Sequence, residues 1–188
     1  SINTGDSAEV NFQQAGIDPI GGGPIQEGVS VQFNGQTLSA SRDTVKTDLS
    51  FTRKLAVPRA LVWECWTTPE HIRHFFVPRP HEVTSCEIDL RVGGRFNTVM
   101  KVGAHEMDNK GVYLEVVDGE KLVFTDAYSE GWKPAPDPFM TAIILLEDDP
   151  EGGTTYTAIA RHRSPEARKT HEDMGFFDGW GTVVTQLE

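Results

Sequence analysis

Cysteine is nearly absent from this chain: Cys65 and Cys86 are the only two in 188 residues. Two thiols cannot staple a disulfide framework; they fit a reducing cytoplasm and read as small buried hydrophobes. Long apolar runs are also missing. No stretch approaches the roughly 20 apolar residues that a bilayer span needs, and the start of the chain lacks a basic segment leading into an apolar one. The expected setting is therefore cytoplasmic, although the chain begins at Ser1 and a processed signal would leave no trace. Positive charge is scarce, with 17 Lys and Arg against 28 Asp and Glu, a formal net charge of −11, and no basic stripe. Nucleic acid and anionic membrane surfaces repel such a protein, which removes both as partners. Nucleophile elbows and paired-cysteine zinc spacings are lacking too. Gly93-Gly94 joins two strand-like runs and opens no helix, so it is not a phosphate loop. No cofactor is expected.

What remains is an ordinary globular composition, 38% hydrophobic and 24% charged, at a length suited to one good-sized core. Residues 1–45 stand apart, with seven of the 18 glycines, the run Gly21-Gly22-Gly23-Pro24, and Arg42 as their one basic residue. Within them Val29 to Phe33 alternates apolar and polar residues and runs into Asn34-Gly35, the signature of a hairpin with a tight primed turn. The segment is expected to be an arm packing on the domain or on a second copy. A homodimer through this arm would follow in the second case. If the arm instead enters a cavity mouth, Ile17, Ile20 and Ile25 are the side chains to insert.

Residues 46–188 form the second part. Val45 to Ala56 reads as a strand. Pro58 suits the start of a helix over Ala60 to Thr67, with Val62, Trp63 and Trp66 on one face. A second short helix follows from Thr68-Pro69-Glu70, with Thr68 as cap, to about Phe76. Six strand-like runs come next, near 81–89, 95–102, 110–118, 121–129, 138–147 and 153–162. The turns between them include a polar tip from Gly103 to Asn109 and a Pro-rich stretch from Lys133 to Pro138. Connections this short require antiparallel pairing. Ser164-Pro165-Glu166 then opens a long final helix carrying Met174, Phe177, Trp180, Val183, Val184 and Leu187. The expected fold is α+β: a curved, antiparallel, seven-stranded sheet wrapped on that helix, with two short helices after the first strand. Space left between sheet and helix is the expected ligand site.

Several blocks resemble a known family in order. They are Phe51-Thr52-Arg53, Val57 to Trp63, Trp66-Thr67-Thr68-Pro69-Glu70-His71, and Val83 to Phe96 with its glycine turn. Asn109 to Val117, Lys121 to Ala127, Ser164 to Arg168, and His171 to Phe176 with Gly179-Trp180 continue the match. Together they are similar to the SRPBCC (START-like) superfamily, in the branch related to activators of heat-shock-protein ATPase. The resemblance covers about 46–188 and implies the helix-grip fold. It also implies a range of functions: binding of small apolar molecules, polyketide cyclase or aromatase chemistry, hydrolase-like chemistry, or co-chaperone-like activation. No catalytic residue is common to that range. The arm lies outside the family pattern, and the closing helix ends a turn or two early.

For function, the expectation is a binding protein for a small apolar molecule. Phe75, Phe76, Tyr128, Trp132, Met174, Phe177 and Trp180 are candidate pocket residues, because large apolar groups at element ends can rim a cavity; core packing explains the same residues. His171 is a candidate acid or base beside the cavity, since imidazole titrates near neutrality; a solvated turn is the alternative. The enzyme reading pairs it with an acid or with Arg161. His105 and Met107, at a hairpin tip, are candidate cavity-mouth residues. His71 and His74 have one-face helical spacing but no third ligand, so no metal is assigned.

Overall fold

Period-two burial sets the framework. The structure is a computed structural model that describes residues 29–33, 36–40 and 44–188, with side chains from Lys46 onward. The chain divides into two compact units, Ser1–Arg42 and Asp43–Glu188. In the first, β1 (Val29–Phe33) and β2 (Gln36–Ala40) pair antiparallel, with Val29 opposite Ala40 and Phe33 opposite Gln36. This is the hairpin pairing that the sequence predicts. The Asn34-Gly35 turn and Ile17, Ile20 and Ile25 lie outside the described residues.

The second unit opens with a single helical turn, α1 (Thr44–Thr47), and β3 (Asp48–Leu55), so the first strand starts three residues later than its pattern suggests. Two helices follow, α2 (Arg59–Thr67) and α3 (Pro69–Phe75). Thr68 occupies the cap position of α3, but its side chain makes no capping hydrogen bond there; Pro69 and Glu70 provide the first turn. Then come β4 (Glu82–Ile88), β5 (Phe96–Val102), β6 (His105–Asn109), β7 (Val112–Val117) and β8 (Lys121–Thr125). The short strands β9 (Tyr128–Ser129) and β10 (Lys133–Pro134) precede β11 (Thr141–Asp148) and β12 (Thr154–Arg161). Two regions expected as plain turns are thus strands. The polar tip at 103–109 is mostly β6, because Gly103 (φ 62°) turns the chain tightly enough for backbone pairing from Val102 opposite His105. Lys133–Pro134 pairs back on Tyr128–Ser129 as a small ribbon.

Pairing is antiparallel throughout. One sheet runs β3-β12-β11-β8-β7 and a second runs β4-β5-β6; an isolated bridge between Arg95 and Val112 joins them. Backbone hydrogen bonds from Phe96 to Gly111 and from Tyr113 to Gly94 strengthen the junction. On β11, Ala142, Ile144 and Leu146 are buried, and on β12, Thr154, Tyr156, Ala158 and Ala160; the intervening residues are more exposed. That alternation gives the larger sheet an apolar face needing cover.

The cover is helical. The expected single final helix is two, α4 (Pro165–Asp173) and α5 (Phe176–Leu187). Gly175 stands between them at φ 93°, a left-handed conformation that terminates the first helix and redirects the chain. Ser164 caps α4 as its sequence predicts, accepting a hydrogen bond from the Ala167 amide at 3.1 Å. Phe176, Val183 and Val184 of α5 are buried, and Trp180 and Leu187 pack against the core beside them. Each fully buried side chain of this size contributes roughly 1.5–3 kcal/mol. Gln186 fixes the far end of α5, donating to the Phe75 and Val77 carbonyls at 3.0 and 2.8 Å. Among the described residues no helix is long and apolar enough to cross a membrane.

One hydrogen bond links helix and sheet inside the core: Trp180 Nε1 donates to the Tyr156 hydroxyl at 3.0 Å. Tyr156→Phe strands that indole donor, and we expect a loss of about 1–3 kcal/mol in urea unfolding. An unchanged midpoint would show that the bond contributes nothing.

Candidate functional site

The inner face of the larger sheet is built from unequal side chains. Ala142 and Ala158 on the central strands are small and share one core cluster with large aromatic groups, while Ala160 lies with Phe176. Trp66 from α2 reaches down to Phe124 on β8 and Tyr156 on β12, with ring centroids 6.1 and 6.4 Å away. Above it, Trp66 meets Phe75 and Phe76 edge-on at 5.4 and 5.9 Å. The contacts then close on themselves. Phe76 meets Phe96 at 5.6 Å, Phe96 meets Tyr113 at 5.6 Å, and Tyr113 meets Phe124 at 6.4 Å. Trp66, Phe76, Phe96, Tyr113 and Phe124 therefore form a circle of five rings drawn from five elements or their ends, packed through its middle by Phe96 on Phe124 at 4.7 Å.

This circle contains the interior's polar anomalies. Trp66 Nε1 and the Tyr113 hydroxyl are buried, and neither has a hydrogen-bond partner. Both residues are 1% exposed. The surroundings keep every titratable group here neutral. Burial pushes the Tyr113 phenol well up, with a smaller contribution from Cys86. Burial likewise raises the Cys86 thiol to about 11, reinforced by Glu70 and opposed by Arg73. Cys65 is raised by burial and then by Glu64. Both cysteines are free thiols, protonated at neutral pH and so poor nucleophiles. Phe76, Cys86 and Ile88 pack against the cluster but are only partly buried, which places one side of the circle near solvent.

A second polar feature lies where α4 meets β12. His162 is 5% exposed, and its Nδ1 lies 2.9 Å from the Thr47 carbonyl. A carbonyl only accepts, so this nitrogen carries the proton. With both rings neutral, His162 Nε2 then accepts from His171 Nδ1 at 2.9 Å, which leaves His171 Nε2 as a bare acceptor. Phe139 and Phe176 flank His171, with ring centroids at 4.7 and 5.1 Å. Burial, and secondarily His162, lowers the His171 pKa to about 4.

The sequence candidates fall into separate places. Phe75 is buried core, while Phe76 and Trp180 are half-buried against it. Tyr128 and Trp132 meet edge-on on the β9-β10 ribbon, both exposed. Trp132 adopts φ 59°, unusual for a bulky residue, and its ring lies so close over Gly93 that a Cβ there would sit 2.9 Å from it. Met174 and Phe177 are exposed near the start of α5, beside the His171 cluster; Phe177 meets Phe176 at 5.0 Å. His105 and Met107 lie on β6 opposite Val102 and Met100 of β5, toward the end of that strand away from Phe96. Arg161 is held by Asp48 through three hydrogen bonds at 3.2, 3.1 and 2.9 Å, whereas His171 has His162 as its hydrogen-bond partner. Trp66, Phe96, Tyr113 and Phe124, which join Phe76 in the aromatic cluster, carry no site signal in the sequence, because each looks like ordinary core in its own element. His162 was visible only as a strand end. No group of three or more His, Cys, Asp or Glu is placed to hold a metal among the described residues.

Two surface hollows stand out. One, of about 460 Å³, runs along the flank of α5 beside β3, between Arg53, Phe177, Gly181, Thr182 and Thr185. The other, of about 320 Å³, lies among Pro80, His81, Glu82, Lys101 and Gly103. Neither is lined by the ring circle.

Residues 56–188 match the family described as Activator of Hsp90 ATPase homolog 1-like protein. No curated protein matches the chain. Among solved structures, a protein from Nitrosomonas europaea is 45% identical with a TM-score of 0.73, covering 76% of this chain and 92% of its own. A protein from Mycobacterium smegmatis shares the fold at 24% identity and TM-score 0.65, covering 78% and 91%. An AHSA1-like protein from Aeromonas hydrophila does so at 21% and 0.55, covering 75% and 95%. With the antiparallel sheet, the paired helices after β3 and the closing α5 already in place, the match over 56–188 makes this chain a member of the Activator of Hsp90 ATPase homolog 1-like family, within the SRPBCC superfamily.

Proposed function

We propose that this protein binds a small apolar molecule between the inner face of its sheet and the helices that cover it, beside the aromatic cluster of Trp66, Phe76, Phe96, Tyr113 and Phe124. In this reading the two sheets act as one curved, seven-stranded grip, with β6 and β7 counting as a single bent strand across the Arg95–Val112 bridge. The aromatic cluster supports the proposal, because apolar surfaces with few polar groups are what small-molecule sites offer. Partly buried Phe76, Cys86 and Ile88 give the approach from solvent. Net charge of −11 and the absence of an internal cation in the circle favour a neutral guest. The free thiols suit a cytoplasmic protein.

Native purification followed by denaturation and mass spectrometry tests the reading. A neutral apolar molecule is expected in the released fraction. The neutral fluorescent probe N-phenyl-1-naphthylamine should bind the emptied protein and lose at least about tenfold in affinity in Phe76→Trp, which fills the approach. Neither released molecule nor probe binding would overturn it.

The His162–His171 pair supports a second reading, a cyclase-like or hydrolase-like enzyme in which His171 Nε2 takes a proton from a bound substrate. The hydrogen-bonded order from Thr47 through His162 holds His171 in one tautomer, which orients a base. Its lowered pKa has a measurable sign. Folding favours the neutral ring, so its contribution to stability is full above the unfolded value near 6.5 and is lost as pH falls from there to about 4. Histidine ring resonances followed by NMR should show His171 uncharged down to about pH 4, and the thermal midpoint should fall over that window less steeply in His171→Asn. Titration of His171 near 6.5 would remove the buried pair and the reading with it.

A further inference from the structure

The outward side of α5 carries a projection and a recess four residues apart. Phe177 is 47% exposed, and one helical turn on, Gly181 has no side chain. The hollow of about 460 Å³ opens there, among Phe177, Asp178, Gly181, Thr182, Thr185 and Arg53 of β3. Packing does not require the glycine. A Cβ at position 181 would meet only the Phe51 ring, at 3.9 Å, which is an ordinary contact. Glycine also weakens a helix interior, because it loses more backbone freedom than any other residue. The helix thus gives up stability for an open recess beside an exposed ring. Met174, 70% exposed just ahead of α5, adds apolar surface at the Phe177 end.

We infer that this face is an interface with a second copy of the chain, in which two α5 helices lie antiparallel about a two-fold axis and each Phe177 ring enters the other copy's hollow at Gly181. A two-fold interface must be self-complementary, each feature on one copy meeting its counterpart on the other. A projection and a recess on one helix, about 6 Å apart along its axis, meet that condition once the helix is reversed. Charge agrees with shape. Asp178 stands at the Phe177 end of the hollow. Arg53, which donates to Thr185 at 2.7 Å, stands at the other end, so reversal turns each carboxylate toward the other copy's guanidinium. The hollow is also broad and open, which suits a side chain carried by a rigid helix better than a free small molecule that needs enclosure. One helix face is a small interface and each copy carries a net charge of −11, so the association is weak and reversible.

Sedimentation equilibrium of the full chain tests this, in about 0.3 M salt to screen the repulsion between copies. A dimer with a Kd of about 10–100 µM is expected. Phe177→Ser, which removes the ring, and Gly181→Gln, which fills the recess, should each weaken it about tenfold or more. Gly181→Gln should melt no lower than the parent, since glutamine is the better helix former, and this separates loss of the recess from loss of the fold. Asp178→Asn should weaken the dimer severalfold, although it lowers the net charge that drives the copies apart. A monomer at every concentration up to about 500 µM would overturn the inference. So would a dimer that neither Phe177→Ser nor Gly181→Gln disturbs, which would place the contact elsewhere, the arm of residues 1–45 included. Tighter association of Asp178→Asn would overturn the antiparallel arrangement. Should Gly181→Gln fail to fold, Phe177→Ser, which alters a half-exposed ring, decides the matter.

Discussion

The burial of one indole, Trp66, holds the domain's layers in register. It leaves α2, meets α3 through Phe75 and Phe76, and reaches β8 and β12 through Phe124 and Tyr156. Tyr156 in turn receives the Trp180 indole from α5. Ala142 and Ala158, the small residues of the central strands, share this core cluster with it. Packing of that kind is dense and transmits strain, so the helices, the sheet and the α5 cover have one mutual arrangement.

Polarity is distributed with a clear division. Charged pairs such as Arg53 with Glu188 and Arg161 with Asp48 occupy the periphery, where solvent screening keeps their energetic contribution modest. In the aromatic core the titratable groups are neutral: the Cys86 thiol and the Tyr113 and Tyr156 phenols are held protonated by burial. Such an interior excludes ions but can discriminate between neutral molecules by a single hydrogen bond. The two histidines occupy the boundary, with one ring buried and the other half-exposed among phenylalanines.

Much of the fold was legible because it follows from short-range rules. Alternation along 141–148 and 154–161 marked buried strands, Pro69-Glu70 marked a helix start, and Ser164-Pro165-Glu166 marked another that the structure caps as expected. The break at Gly175 was not legible, since a glycine within an apolar helical pattern reads equally as tolerated or as terminating. Nor was β6, whose polar residues gain strand structure from pairing with β5, not from their own preference. The candidate site was legible only at its edges. Phe76 and Trp180 do pack against the aromatic core, but Trp66 and Tyr113 are set apart only by polar atoms without partners, and a missing partner has no sequence signature. His162 and His171 meet across nine positions only because α4 folds back on the end of β12.

The sheet order has a kinetic corollary. β3 takes its hydrogen-bonded neighbour from β12, with Asp48 opposite Arg161 and Leu55 opposite Thr154. During synthesis from the N-terminus, β3 therefore waits for the entire run from α2 to β11 to emerge before any partner strand exists. Closing so long a loop is slow, and an unpaired strand edge is meanwhile an aggregation hazard. The domain can build its helices and hairpins locally as it leaves the ribosome, but the step that seals the larger sheet comes late and joins the opposite ends of the unit.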